Sequence, residues 1–264
     1  MLTSTVTAMA ELAGGDERFR DDRGEADPAV AAALAAFAAG TGSEHAVLTA
    51  LADSRLLVPV VAVLADQSGS AGDSGSAGES GSAGEPMPSG KPVLAGQGEK
   101  SSEMAMPSIV GSDGRRALPA FTSAEAVCRW QAGARPVPLP AVSVWQAAAQ
   151  ESCAVIIDIA GPVPLAVEGA RLAALAAGMQ APAMYQDPDA WQQVAAAAAE
   201  LAPGIRVKLS APEDGLDLTL ELAPPQGATG AVPAELARRI ADAATVRLGG
   251  RVRAGIAVVV RPPS

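Results

Sequence analysis

The feature that most constrains this chain is a stretch with nothing to fold around. Residues 68–86 read SGSAGDSGSAGESGSAGEP, a six-residue repeat of serine, glycine, alanine and an acid. None of these side chains can build a core, so a disordered loop is expected over 66–97. Before it stand two helical patterns and one apolar strand, LLVPVVAVL at 56–64. Two helices and a strand are too little to bury a core alone. The strand therefore needs partners beyond the repeat, and the repeat reads as a long loop inside one domain. Such a loop is tolerable, because each doubling of its length costs only about 0.6 kcal/mol in closure entropy.

Composition narrows the function classes. The net charge is −10, which argues against nucleic acid, whose phosphates need clustered lysine and arginine. It also disfavours anionic membrane surfaces. Hydrophobic residues make up 49% of the chain but aromatics only 3%. Alanine dominates the rest, so thin, closely apposed layers are expected rather than a thick core. No apolar run reaches the ~18 residues of a spanning helix, and no basic segment leads into an apolar one at the N-terminus. Cys128 and Cys153, the only cysteines, sit among apolar residues and read as small core side chains in a reducing, cytoplasmic setting. With His45 as the single histidine, no metal site and no cofactor are expected.

Local signals divide the chain. Residues 1–26 end in DERFRDDRGEA and read as a mobile arm. Asp27-Pro28 opens a helix to Ala39, and Ser43 caps a second over 44–53 that carries His45, to which no role is assigned. A strand is expected over 103–110. Asp113-Gly114 marks a hairpin returning along 115–121. Thr122 with Glu125 forms the pattern of a capping box before a helix over 123–132. The prolines of 136–139 suggest an edge strand. A helix follows over 141–151, then a buried strand in AVIIDIAG at 154–161, a short strand at 164–167 and a helix over 168–177. Asp187-Pro188 starts a second unit whose strands, 205–210 and 216–222, alternate apolar and polar residues. Antiparallel pairing would gather Arg206, Lys208, Asp217 and Glu221 on one wet face. A helix over 233–245 and a strand over 252–260 complete an α-β-β-α-β order.

Leu56-Leu57-Val58-Pro59-Val60, Gly98 to Met104, and Asp113-Gly114 followed by Phe121-Thr122-Ser123 together resemble the SseB family, named for enhanced serine sensitivity. Arg135-Pro136-Val137 and the strand ending Ile157-Asp158 extend the likeness. The resemblance implies an SseB-like N-terminal domain over 27–178 and the smaller C-terminal domain that often follows it, here 187–264. The alanine-rich, lysine-poor style is similar to that of actinobacterial members. The fold class expected is α+β, with a mixed sheet packed by helices in the first domain and the small α-β-β-α-β domain after it. The family implies no reaction that could be carried over.

Chemistry tested on the residues finds little. Gly96 to Ser101 has glycine and lysine separated by Glu99 and leads into Pro107, so it lacks the helix that a phosphate loop needs. Asp158 ends a buried strand, where α/β proteins place functional groups, or caps the turn at Gly161-Pro162. No serine occupies a nucleophile elbow. The expectation is a non-catalytic protein-interaction or regulatory module and not an enzyme. Its interaction loop is Glu99, Lys100, Ser101, Ser102 and Glu103, and the sheet face is the other surface considered. The partner is expected to be a protein, with self-association as the other arrangement. The alternative is an enzyme of unrecognised type with a polar cluster of Asp158, Glu103 and Lys100.

Overall fold

The computed structural model describes residues 19–64, 102–112, 114–212 and 215–263. The repeat therefore lies outside the described residues. Among the described residues, those from 19 to 61 and from 105 onward form one compact body.

The fold is α+β. Helices α1 (Pro28–Ala38) and α2 (Glu44–Ala52) begin where their caps predict. The Asp27 carboxylate accepts from the Ala29 and Val30 N–H groups, and the Ser43 hydroxyl accepts from Ala46 N–H. Strand β1 (Arg55–Leu64) then pairs antiparallel with β5 (Arg135–Pro140), joining the two sides of the repeat. Four prolines lie in this pair without breaking it. Pro140, Pro138 and Pro136 face Arg55, Leu57 and Pro59, which are alternate positions of the ladder. Antiparallel strands exchange hydrogen bonds only at every second pair. The missing donors thus fall where none is needed, and Leu57 N–H turns to the Phe121 carbonyl at 2.8 Å instead. Strand order in this sheet is β2-β1-β5, with β2 at Ser102–Ala105.

The single strand expected over 103–110 is in fact two. β2 stops before Pro107, and β3 (Ile109–Val110) resumes in a different sheet. Proline supplies no ladder donor, so the chain changes sheets there. The second sheet has order β3-β4-β6-β7, with β4 at Arg116–Ala120, β6 at Ala154–Ile157 and β7 at Leu165–Val167. β4 and β6 run parallel, and their connection carries α3 (Ala124–Trp130), β5 and α4 (Ala141–Gln150). Leu118, Val155, Ile157, Leu165 and Val167 fill one face of this sheet. They meet Val144, Trp145, Leu172 and Leu175 from α4 and α5 (Gly169–Ala176) in the larger core.

A second core is built by α6 (Pro188–Leu201), β8 (Arg206–Ser210), β9 (Leu218–Ala223), α7 (Ala234–Leu248) and β10 (Ile256–Val260), in the α-β-β-α-β order expected. Sheet order is β10-β9-β8, parallel then antiparallel. Leu218, Leu220 and Leu222 of the central strand are fully buried beneath residues of both helices.

Three expectations need correction. The charge ladder is smaller than anticipated: Lys208 faces Glu221, but Asp217 is buried and accepts from the N–H groups of Arg253, Ala254 and Gly255 at 2.6–3.0 Å. It lies before β9, where the chain has left the strand and turns inward. Cys128 is exposed on α3, and only Cys153 is buried. The end of the N-terminal segment is not a free arm. Asp22 pairs with Arg55 at 2.5 Å, and the Gly24 carbonyl accepts from Ala124 N–H. A Cβ at Gly24 would come within 2.6 Å of Ala124, so only glycine fits this approach.

Candidate interaction site

The loop read as the interaction site is only partly in view. Glu99, Lys100 and Ser101 lie outside the described residues, and Ser102 and Glu103 are seen as backbone of β2. Of the trio Asp158, Glu103 and Lys100, Asp158 alone has a described side chain.

Asp158 has a defined occupation. β6 ends one residue before it, and its backbone turns to φ 47°, in the left-handed region. Its N–H donates to the Ala120 carbonyl at 2.9 Å, and its carbonyl accepts from Gly161 N–H at 2.7 Å, so the backbone closes the turn. The side chain does something else. Oδ1 accepts from Thr122 N–H at 2.9 Å and Oδ2 from the Thr122 hydroxyl at 2.7 Å. The carboxylate thereby ties the carboxyl end of β6 to the start of α3. This also corrects the capping box. With Thr122 engaged by Asp158, the next hydroxyl, Ser123, caps α3 through Ala126 N–H, and Glu125 pairs with Arg129 one turn on.

A second polar constellation was not foreseen. Glu44, Arg171, Asp187 and Arg251 meet where the two cores adjoin, all buried. Arg171 Nη1 donates to Glu44 Oε1 at 2.5 Å, and Arg251 Nε to Glu44 Oε2 at 2.8 Å. Arg251 Nη2 donates to Asp187 Oδ2 at 2.7 Å, while Asp187 Oδ1 still caps α6 through Asp189 N–H. Two cations meet two carboxylates, so the set is neutral. Burial pulls the Arg171 pKa below its usual value, and the charge of Arg251 adds to that pull. Burial also opposes the Arg251 charge, but Glu44 and Asp187 outweigh it and raise that pKa. The one available sequence signal was Arg171 itself, an arginine inside the apolar run GARLAALA. Nothing local says which carboxylates meet it.

An opening lies at the other end of the sheet from Asp158. A cleft of about 800 Å³ runs over the amino ends of β4 and β6. Its lining combines Ile109, Ala117, Ala154, Ile156 and Ala166 of the strands with Ala148 and Ala149 of α4 and Leu172 and Ala173 of α5, so it wraps the end of the sheet. The register places the five strand residues on the sheet face opposite the core. The charges at its rim are already paired: Arg115 with Glu168 at 2.8 Å, and Arg116 with Glu151. Cys153 also borders the cleft, and burial pushes its thiol pKa up, away from the reactive thiolate. Among the described residues no three histidine, cysteine or carboxylate side chains could hold a metal together. No described helix is long and apolar enough to cross a membrane. The strand residues give the cleft an aliphatic floor.

Residues 30–174 match the family model described as the SseB protein N-terminal domain. No curated protein and no solved structure matches the chain.

Proposed function

From the premise that this chain belongs to the SseB family, we propose that it is a non-catalytic protein-interaction module whose partner docks on the open face of the four-stranded sheet. The observation that supports this reading is the cleft itself, with an aliphatic floor and a rim of mutually paired charges. Apolar surface without a free reacting group favours association over turnover. Asp158 supports it from the other side, since both its oxygens are engaged by Thr122. The loop from Glu99 to Glu103 remains part of the proposal as a second contact. A reducing, cytoplasmic setting accords with two unpaired thiols, one of them exposed.

The test is affinity capture from the native cell with three forms of the chain. Ile156→Arg, on the open face, is expected to lose the partner while keeping its fold. Replacing Glu99, Lys100 and Glu103 together by alanine is expected to weaken capture. If Ile156→Arg retains every partner, the sheet face is not the docking surface. A metabolite turnover that the wild type performs and Asp158→Asn loses would restore the enzymatic reading.

A further inference from the structure

On the outer face of the C-terminal sheet two arginines stand on either side of one alanine. Because Leu218, Leu220 and Leu222 are buried under the helices, Glu221 and Ala223 lie on the opposite face of the sheet, as does Thr219, which is itself buried. The register sets Arg206 of β8 opposite Ala223. On the other side, Arg261 N–H donates to the Leu222 carbonyl at 2.8 Å and carries the β10 ladder one residue past Val260. Arg261 is therefore also level with Ala223. Adjacent strands are ~4.8 Å apart, so the two arginine backbones are separated by about 10 Å, with the Ala223 methyl between them; Arg206 Nε donates to the Pro224 carbonyl at 3.0 Å. In the next row Glu221 accepts from Lys208 Nζ at 3.0 Å, from Arg261 Nε at 2.9 Å and from the Ser210 hydroxyl. A cleft of about 440 Å³ opens over these rows, bordered by Arg206, Lys208, Glu221, Ala223, Arg261 and Pro262.

We propose that this cleft receives a carboxylate from an acidic peptide segment of a partner protein, with Arg206 and Arg261 flanking it and Glu221 holding its place in the free chain. Three cationic side chains and one carboxylate border the cleft, on a chain whose net charge is −10. The patch is thus complementary to negative charge where the molecule as a whole is not. Guanidinium groups match a carboxylate in plane and spacing, and Ala223 leaves room for one to enter between them. Two arginines and a lysine neutralise too few phosphates to hold a nucleic-acid strand against the overall charge. Glu221 draws Lys208 and Arg261 to itself, so it competes with the incoming group. This surface is separate from the cleft on the four-stranded sheet, and either proposal can fail without the other.

The experiment is fluorescence anisotropy on the full chain at low salt, with a labelled peptide of alternating glutamate and glycine. A phosphopeptide and a single-stranded oligonucleotide serve as rival ligands. Saturable binding is expected, weakening as salt is added. The Arg206→Gln/Arg261→Gln pair should lower affinity by about tenfold or more. Glu221→Gln should raise it, because two cations are released; a merely general attraction to positive charge would not predict a gain larger than that of removing an exposed acid elsewhere, such as Glu235. Should the double variant not fold, Lys208→Gln, whose side chain is 70% exposed, provides the same loss. Absence of saturable binding, equal affinity in wild type and arginine variants, or no gain in Glu221→Gln would overturn the proposal. Tighter binding of the phosphopeptide or oligonucleotide would overturn the carboxylate assignment.

Discussion

Two charge clusters in this molecule have opposite designs. Glu44, Arg171, Asp187 and Arg251 are buried, neutral as a set, and drawn from residues as far apart as 44 and 251. Lys208, Glu221 and Arg261 are on a sheet surface, carry an excess of cations, and are brought together by strand register. The first cluster cannot tolerate imbalance, because an unpaired charge in a low-dielectric interior costs far more than the pair returns. The second can, because water screens what is left over. Balance thus suits a join between two cores, and imbalance suits a surface left open to a ligand.

The sharpest way to break the comparison is Arg251→Met. It leaves Glu44 and Asp187 with one guanidinium between them, and unfolding by denaturant should show a loss of about 3–5 kcal/mol. Glu44→Leu combined with Arg251→Met should cost less than the sum of the single changes, by about 0.5–3 kcal/mol, since each removes the other's stranded partner. Strict additivity in that double-mutant cycle would show that the four groups do not act as a set.

A smaller effect is expected at Asp158, a buried carboxylate satisfied by a neutral residue rather than by a cation. Asp158→Ala strands the Thr122 N–H, and chemical unfolding should register about 1–3 kcal/mol. An unchanged midpoint would mean that water replaces the carboxylate without loss.

The smallest effect belongs to the surface cluster. The Ser210 hydroxyl, then Arg261 and Lys208, hold the Glu221 carboxyl down at about 2, from an ordinary value of 4.5. A depressed carboxylate stabilises the fold above its unfolded pKa and loses that contribution as pH falls through the folded one. The window is therefore from about pH 4.5 down to about 2. Across it, the wild type should lose slightly more stability than Glu221→Gln, and a carbon-detected pH titration should find the Glu221 midpoint near the lower end. A midpoint in the ordinary glutamate range would mean the cluster does not persist in solution.

What could be read in advance follows the same division between local and distant. Asp27-Pro28, Ser43 and Asp187-Pro188 start helices as expected, because a cap satisfies donors two or three residues away. The three-residue capping pattern at Thr122 misled, because Asp158, distant in sequence, takes that hydroxyl and moves the cap to Ser123. The strand expected over 103–110 ran through Pro107, where the chain instead breaks into β2 and β3 and changes sheets. Of the candidate site, the loop from Glu99 to Glu103 stood out by composition, whereas the apolar face of the four-stranded sheet did not. Its residues come from four strands, and each contributes only one or two apolar side chains.

By itself the sequence determined the helices and most of the strands, their order, the buried leucine face of β9 and the need for β1 to find partners past the repeat. These rest on period and on backbone chemistry within a few residues. Only the tertiary structure decided which charges meet, since Arg171 and Arg251 could serve any carboxylate until packing brought Glu44 and Asp187 to them. Coulomb attraction has no sequence address, and burial selects the pairs that leave no charge alone.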